Sequence, residues 1–492
     1  MIRFKGKNRG LVVVSNRLPF TRKVNEKGKS VWEKAAGGLI TAMEPILFNA
    51  NGTWLGWDGY PVEEARHDKI DLIDVKDIES KDKLKGKGRK SYRIGCIPIN
   101  ASQVDKYYNR FSNGTLWGLF HYFFEKSFID YSAWQTYLEV NKLFAGYIDK
   151  VASKSDIVWI QDFHLFMVPY YLRQLRPKQE IHFFLHIPFP HIDIFSILPW
   201  QRTILESLLC CNSVGFHHRQ YMRNFGEAVE HYRRAKKDSG EKTLEDMTRT
   251  HFYVNPISID FDVLDKTSRK PDVAKRREEI RHEAKCPKVI VGVDRIDYSK
   301  GIKERLLGLM MLLEEHPELK EQFFYYQLVV PSREDVKTYR RLKKEIDEII
   351  GRLNGKYSTG LWAPVHYNYG TVPFEELIAL YSSADVALVT PLRDGMNLVC
   401  KEYVAAHSDN DGVLVLSKFA GAIAEIKNCI PVNPYSPEDI ADAIYEALHM
   451  SKAERKKRMT KMRNNIKYHN INTWLENCLK HFELSGEVEP NK

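Results

Sequence analysis

The sequence predicts an α/β protein of two doubly wound parallel-sheet domains facing across a cleft. Three observations carry that expectation. At 492 residues the chain is too long for one core and suits two or three α/β units. Its apolar runs are short and bounded by polar residues, as in parallel strands covered on both faces. Strand-like and helix-like segments alternate, which implies right-handed crossovers and puts ligands at the carboxyl ends of the strands. A hydrophobic content of 43% with 12% aromatics marks the chain as globular along most of its length.

The first block opens with a strand over residues 11–14. Ser15, Asn16 and Arg17 stop its apolar run, so it reads as a buried strand and not as a signal peptide. Ala35, Ala36, Gly37 and Gly38 begin a helix that runs through Met43; paired glycines there either admit a ligand close to the backbone or simply turn the chain. Further strands are expected over residues 54–57, 156–161, 182–187 and 213–216, and the charged stretch 235–272 is expected to hold the interdomain link. The second block begins near Pro287 with a strand over 289–293, a loop from Asp294 to Gly301 and a helix through Leu313. A strand over 326–330 ends in Pro331, Ser332 and Arg333, and helices follow over 335–353 and 374–381. Strands over 385–391, 413–416 and 430–432, and a helix from Ser436 to Leu448 opened by a Ser-Pro-Glu-Asp start signal, complete the alternation.

Residues 390–406, TPLRDGMNLVCKEYVAA, set charged and glycine residues where an apolar strand gives way to a helix expected from Gly395. A helix N-terminus leaves N–H groups unpaired and carries partial positive charge, so the amides near Gly395, Met396, Asn397 and Leu398 form an expected anion seat. Asp394 and Glu402 flank it. Carboxylates repel phosphate, so they suit the hydroxyls of a sugar or ribose, and the sharper reading is a nucleotide-sugar site. A capping aspartate and a solvated glutamate would leave the same trace in the sequence.

Composition removes other classes. The net charge of +10 sits largely in runs such as Lys81 to Lys90 and Arg233 to Lys237, which lack interleaved aromatics and accompany no nucleic-acid motif. They read as solvated insertions, and the positive field would steer anionic small molecules. No run approaches the eighteen or so apolar residues that cross a bilayer. Seven cysteines, never spaced C-x-x-C, argue for reduced thiols in a cytoplasmic protein. No metal is expected. His182 and His186 share a strand face but lie roughly 13 Å apart at about 3.3 Å per residue, and the D-x-D pairs Asp260/Asp262 and Asp409/Asp411 are ordinary loop features.

Arg17, Asp162, His186, Arg295 with Lys300, Arg333 and Asp394 all fall at or just after the carboxyl end of an expected strand. Singly, Arg17 reads as a loop charge, Asp162 as a helix cap and His186 as a core histidine; jointly they outline a cleft. Arg295 and Lys300 share a loop closed by Gly301, where a planar fork and a mobile point charge can reach one diphosphate. The same pair could instead form structural ion pairs with Asp294 and Asp297.

SNR at Ser15 to Arg17, AAGGL at Ala35 to Leu39, YYNRFSN at Tyr107 to Asn113 with LW at Leu116 and Trp117, WIQDFHL at Trp159 to Leu165, and FFLHIPFP at Phe183 to Pro190 lie in the first block. VDRIDYSKG at Val293 to Gly301, VPSR at Val330 to Arg333 and the segment 390–406 lie in the second. Together they closely resemble trehalose-6-phosphate synthases, retaining glycosyltransferases of the GT-B type with two Rossmann-like domains, in the family's order over nearly the whole chain. The resemblance implies an acceptor domain over residues 1–265, a nucleotide-sugar domain over 266–464, and a segment 465–492 whose helix crosses back to the first domain. It implies UDP-glucose as donor, glucose 6-phosphate as acceptor, and α,α-trehalose 6-phosphate and UDP as products.

Matched to the family, Arg17, Trp57, Tyr108, Trp117, Asp162 and Arg333 would hold the acceptor, with Arg17 and Arg333 on its phosphate. Gly37, Gly38, His186, Arg295, Lys300, Asp394, Gly395, Met396, Asn397, Leu398, Val399 and Glu402 would hold the donor, Glu402 on the ribose. Trp117 and Ile187 would select the acceptor anomer. His186, Asp162, Arg295, Lys300 and Asp394 would form the catalytic set, with the departing phosphate as proton acceptor and no cofactor. Gln161, where the family often has histidine, and His217 with His218 depart from the pattern. Partners are expected to be small molecules, with no nucleic acid or membrane; a homo-oligomer or a complex with a separate phosphatase is compatible, since no haloacid-dehalogenase phosphatase domain is expected. The rival readings are a sister transferase with another acceptor such as glycerol 3-phosphate, and a catalytically silent subunit of a trehalose-synthesising complex. A nicotinamide dehydrogenase would share the fold class, but no G-x-G-x-x-G follows the first strand.

Overall fold

Valine, isoleucine and aromatic runs build a parallel sheet in each half of the chain. The computed structural model describes residues 9–24, 30–34, 38–63, 70–79, 91–237, 250–333 and 336–485. It divides into two units, residues 1–256 with 474–492, and residues 257–473. Gly37 and the run Lys81 to Lys90 lie outside the described residues.

In the first unit the strands are β1 (Leu11–Arg17), β2 (Phe20–Val24), β3 (Ser30–Lys34), β4 (Thr53–Trp57), β5 (Leu72–Asp74), β6 (Arg93–Cys96), β7 (Ile157–Gln161), β8 (Glu180–Leu185), β9 (Ser213–Phe216) and β10 (His251–Val254). Eight of them form a sheet in the order β10-β9-β8-β7-β1-β4-β6-β5. All neighbours are parallel except β5, which runs antiparallel to β6. β2 and β3 form a separate antiparallel ribbon. Every residue of β4 and β7 is buried, and every residue of β1 except Arg17. Winding proceeds from β1 to β4 and β6 on one side and from β7 to β10 on the other, so the strand order reverses between β1 and β7. Ligands of doubly wound folds sit at such a switch point.

The second unit holds β11 (Lys288–Arg295), β12 (Phe323–Val330), β13 (Val365–Tyr369), β14 (Val386–Val389), β15 (Val413–Ser417) and β16 (Ile430–Val432). All pairings are parallel, in the order β13-β12-β11-β14-β15-β16. Counted from β11 this is the doubly wound order 3-2-1-4-5-6, with its switch point between β11 and β14. Leu306, Leu309, Leu312, Ile346, Ile440 and Ile444 from flanking helices pack with Ile290 and Leu388 of the sheet.

The strands that periodicity does not reveal are the ribbon β2–β3 and the outer strands β5, β6, β10 and β13. These have one neighbour or lie beside the sheet edge, and their sequences keep polar side chains, as in VHYNY of β13. Burial on one face only leaves no continuous apolar run to read.

Two local features position the site. Val104–Leu116 is a π-helix, an unusual winding that recurs at functional sites. Its polar side chains return to carbonyls five residues earlier, Ser112 Oγ to Tyr107 O at 2.8 Å and Asn113 Nδ2 to Tyr108 O at 2.8 Å. At the other end of the chain, the helix Ile471–Ser485 completes the first unit. Trp474 stacks on Trp159 of β7 at 5.6 Å and Phe482 stacks on His182 of β8 at 3.7 Å. Asn255 fastens the helix through its backbone and its side chain: Trp474 Nε1 donates to the Asn255 backbone O at 3.0 Å, and Asn255 Nδ2 donates to Trp474 O at 2.8 Å.

Emptying a buried indole site costs about 3–5 kcal/mol. Trp474→Ala is therefore expected to lower the urea midpoint of the first unit and to expose 471–485 to limited proteolysis. An unchanged midpoint and cleavage pattern would show that the helix is not anchored there.

Candidate functional site

At the first unit's switch point, Arg17 ends β1 and places its guanidinium 4.2 Å from the Trp57 ring centroid and 6.0 Å from that of Tyr108. Trp57 meets Tyr108 edge-on at 6.3 Å, and Tyr108 stacks on His164 at 5.7 Å. The end of β1 is pinned from below: Trp54 Nε1 donates to Ser15 Oγ at 2.7 Å, which donates to Arg17 O at 2.6 Å. Tyr107 of the π-helix donates to Asn16 Oδ1 at 2.9 Å. Gly59, at φ +87°, leaves room for the guanidinium, since a Cβ there would collide with Arg17 Nη1.

Asp162 follows β7 at φ 71°, ψ 166°, a region almost restricted to glycine that costs an aspartate about 1–3 kcal/mol. The surroundings enforce it. Asp162 N donates to Phe184 O at 2.9 Å, while the next turn is braced from the helix Tyr131–Val151 by Tyr137 Oη to Phe163 O at 2.7 Å and Asn141 Nδ2 to His164 O at 3.1 Å. The helix-cap reading of Asp162 is corrected: its side chain caps nothing in the 3-10 turn that follows and instead accepts from His186 N at 3.1 Å. Backbone strain at a strand end, spent on aiming a carboxylate, makes Asp162 a candidate functional position.

His186 follows β8. Its Nε2 donates to Gln161 Oε1 at 2.9 Å, so Nδ1 faces His217 Nε2, at 3.2 Å, as the acceptor. Burial pushes its pKa down to about 3, and the ring is neutral at physiological pH. Gln161 and His217, the two departures seen in the sequence, are thus the residues that set the tautomer of His186. Trp117 lies against His121 at 4.0 Å and against Phe163 of the Asp162 turn at 5.8 Å. Ile187 is buried beside His186 in sequence.

At the second unit's switch point the loop after β11 and the loop after β14 are tied together. Leu392 N donates to Ser299 O at 2.7 Å, and Arg393 N to the same carbonyl at 3.3 Å. Gly301 makes this approach feasible: at φ +65° it abuts Thr390 O, where a Cβ would clash. Beneath both loops lies Arg305, fully buried, with Nη1 on Asp294 Oδ2 at 2.7 Å and on Gln327 Oε1 at 3.1 Å, and Nε on Thr390 Oγ1 at 3.0 Å. The expected alternative, Arg295 and Lys300 paired with Asp294 and Asp297, is met only in part: the charges of both cations lower the Asp297 carboxyl, while Asp294 and Lys300 have other close partners. Asp294 serves Arg305, Asp297 Oδ2 meets Arg333 Nη1 at 3.3 Å, and Lys300 Nζ meets Asp394 Oδ2 at 2.5 Å. Arg295 stands exposed at the end of β11.

The helix of the segment 390–406 begins at Leu398, three residues later than its sequence suggests. Asp394 instead makes a parallel bridge with Ala420, and Gly421 N donates to Asp394 O at 3.1 Å, which holds Gly395 and Met396 outside the helix. Asn397, at φ 76°, is the N-cap, and its Oδ1 accepts from Cys400 N at 3.2 Å. The first-turn amides that the helix itself leaves unpaired and the cap does not take are those of Leu398 and Val399. The candidate anion seat is thus narrower than expected and begins at Leu398, the last of the four amides expected. Asn397 Nδ2 also donates to Asp394 Oδ2 at 3.1 Å, so Asp394 orients toward Lys300 and the cap together. Glu402 is not a solvated glutamate: Tyr381 Oη donates to its Oε2 at 3.1 Å, and burial pushes its carboxyl above the usual range.

Arg305, Asp297, Tyr339, Tyr381, Tyr137 and Asn141 were not legible as site residues. Asp297 alone had a signal, its place inside VDRIDYSKG; the others come from helices whose facing side is fixed only by packing.

The sequence profile of glycosyltransferase family 20 matches residues 9–484. A trehalose-6-phosphate synthase of Mycobacterium avium (strain 104) is 39% identical over 490 residues, covering 97% of this chain and 96% of that protein. An E. coli structure bound with UDP-2-fluoro glucose matches with a TM-score of 0.83 at 33% identity, covering 98% of this chain and 100% of that one. An alpha,alpha-trehalose-phosphate synthase (UDP-forming) from Burkholderia xenovorans in complex with glucose-6-phosphate matches with a TM-score of 0.83 at 29% identity, covering 96% and 100%. The two Rossmann-like sheets are those of the GT-B fold.

Strain at Asp162 makes a thermodynamic prediction. Alanine normally outranks glycine, but here Asp162→Gly should be about 1–3 kcal/mol more stable than Asp162→Ala, as read from urea unfolding. The ordinary ranking would show that position 162 is unstrained.

Proposed function

We propose that this chain, which belongs to glycosyltransferase family 20, transfers glucose from UDP-glucose to glucose 6-phosphate with retention, giving α,α-trehalose 6-phosphate and UDP. The observation that carries the reading is the gathering of Lys300, Asp394, the free first-turn amides and Glu402 around two interlocked loops at a switch point. Cation and helix dipole suit a diphosphate there, and the carboxylates suit the hydroxyls of the hexose and the ribose on either side of it. Relatives that are UDP-forming trehalose-6-phosphate synthases supply the substrate class.

Each residue then has a role set by its chemistry. Arg295, Lys300 and the amides of Leu398 and Val399 stabilise the charge that builds on the departing diphosphate, which is the largest contribution a protein can make without a cofactor. Glu402, held by Tyr381, accepts from the ribose hydroxyls, and Asp394 with Gly395, Met396 and Asn397 faces the glucose. Gly37 and Gly38 are assigned to the donor by the resemblance to the family, and neutral His186 contributes polarity without charge. Arg17 and Arg333 take the phosphate of glucose 6-phosphate, Trp57, Tyr108 and Asp162 its sugar, and Trp117 with Ile187 the wall that selects its anomer. Attack on the face that UDP leaves needs no protein nucleophile, and the departing phosphate takes the acceptor proton; the protein supplies orientation and charge. No metal enters this reading, and no group of three or more His, Cys, Asp or Glu side chains among the described residues is arranged to hold one. All seven cysteines are free thiols, which supports a cytoplasmic setting; no helix among the described residues is long and apolar enough to cross a membrane. A separate phosphatase would convert the product to trehalose, alone or in complex with this chain.

UDP release across glucose 6-phosphate, glucose, glycerol 3-phosphate and fructose 6-phosphate tests the reading. Release with glucose 6-phosphate is expected; release only with glycerol 3-phosphate would make the chain a sister transferase, and release with none would make it a silent subunit. Two substitutions should separate the substrates. A charge-assisted hydrogen bond is worth about 1.5–3 kcal/mol, or one to two orders of magnitude in affinity. Arg333→Ala should raise KM for glucose 6-phosphate by that factor and leave UDP-glucose nearly unchanged, and Glu402→Gln should do the reverse. Equal effects of either change on both substrates would refute the assignment.

A further inference from the structure

Asp297 is 2% exposed and spends its two carboxylate oxygens in opposite directions. Oδ1 accepts from Ser299 N at 2.9 Å, inside the loop that carries Arg295 and Lys300. Oδ2 meets Arg333 Nη1 at 3.3 Å and accepts from Tyr339 Oη at 3.2 Å. Tyr339 in turn accepts from Arg333 Nη1, closing a triangle of carboxylate, guanidinium and phenol. Arg333 itself sits at φ 52° just beyond β12, a left-handed conformation unusual for arginine, with its side chain 6% exposed. A buried cation in a strained backbone needs a fixed counter-charge to remain there when no phosphate is bound.

We propose that Asp297 is a positioning residue that holds Arg333 and the loop of Arg295 and Lys300 in a single arrangement, so that the cation for the acceptor phosphate and the cations for the donor diphosphate are not independent. The proposal rests on the functional reading above, which gives Arg333 and the loop their separate substrates. Burial alone would push the Asp297 carboxyl up, but Arg333, Arg295 and Lys300 together hold it below the usual range, which shows that all three cations feel this one anion. A carboxylate that merely filled the core would touch one of these elements. Asp297 joins the end of β11 to the end of β12, adjacent parallel strands whose residues Arg295 and Val330 are directly paired. Movement of one strand end is thereby passed to the other through two bonds to a single side chain.

Asp297→Asn preserves size and the acceptor for Ser299 but turns an amide N–H₂ toward Arg333. In steady-state kinetics, KM for glucose 6-phosphate is expected to rise about tenfold or more, while calorimetry with UDP alone shows affinity weakened several-fold. Arg333→Ala should move only the first quantity. In the double variant, KM for glucose 6-phosphate should be no higher than in Arg333→Ala, because Asp297 acts on the acceptor through Arg333. Tyr339→Phe, which removes the phenol from the triangle and keeps the packing, should raise KM for glucose 6-phosphate about threefold to tenfold with UDP affinity unchanged, and it decides the matter if Asp297→Asn does not fold. Asp297→Asn with both affinities within twofold of wild type and only a lower melting temperature would overturn the proposal, as would an additive double variant or a silent Tyr339→Phe. A wild-type protein that releases no UDP with glucose 6-phosphate refutes the functional reading instead, whatever the variants do.

Discussion

A guanidinium with no solvent contact holds the second unit's site together. Arg305 reaches the end of β11 through Asp294, β12 through Gln327 and the end of β14 through Thr390, and its Nη2 lies 3.4 Å from the carbonyl of Lys300. Four separate pieces of the switch point hang from one side chain. Burying a charge is expensive unless every donor is met, and removing one partner of such a pair costs about 3–5 kcal/mol by stranding the other. Arg305 fixes the polar backbone of the loops above, while Ile296, Leu392 and Met396 bury their apolar side chains. Lys300 and Asp394 can then face each other at 2.5 Å across the two loops.

The first unit relies more on neutral groups. The ends of β7 and β8 are held by Tyr137 and Asn141 under the Asp162 turn and by Gln161 with His217 on either side of His186. At the end of β4 a buried carboxylate takes part as well, Asp58 Oδ2 meeting Arg22 Nε at 2.8 Å. The contrast follows from what each unit is proposed to bind: a diphosphate carries charge to be met at several points, whereas a hexose ring needs directed hydrogen bonds and an aromatic surface, which Trp57 and Tyr108 supply with Arg17 between them.

Much of this was legible in the sequence. β1, β7, β11 and β14 appear as apolar runs because both faces are covered, and Arg17, Asp162, Arg295 and Asp394 could be placed at strand ends by counting from those runs. What escaped was of two kinds. Edge strands such as β10 and β13 lack the double burial that makes a run readable. Pairings such as Arg305 with Asp294, or Tyr381 with Glu402, join residues 11 and 21 positions apart and depend on which face a helix turns inward. The start of the helix at Leu398 was misplaced for a similar reason: Gly395 and Met396 have helical neighbours in sequence, but a bridge to Ala420 claims Asp394 first. Local pattern sets the elements, and long-range register sets their ends.

The π-helix Val104–Leu116 brings its own consequence. Each turn of such a helix holds about one residue more than an α-turn, so the segment is out of phase with the more common winding that its backbone could adopt. Loss of a single residue within it would let one turn rewind as α-helix and would swing everything beyond by about 100°. Tyr107, which reaches Asn16, and Tyr108, which stacks on His164, sit on consecutive positions of this spring. The winding constrains the length of the segment more than the composition of its exposed positions: it is a phase lock, in which one residue more or less would undo the alignment of an arginine five strands away in sequence.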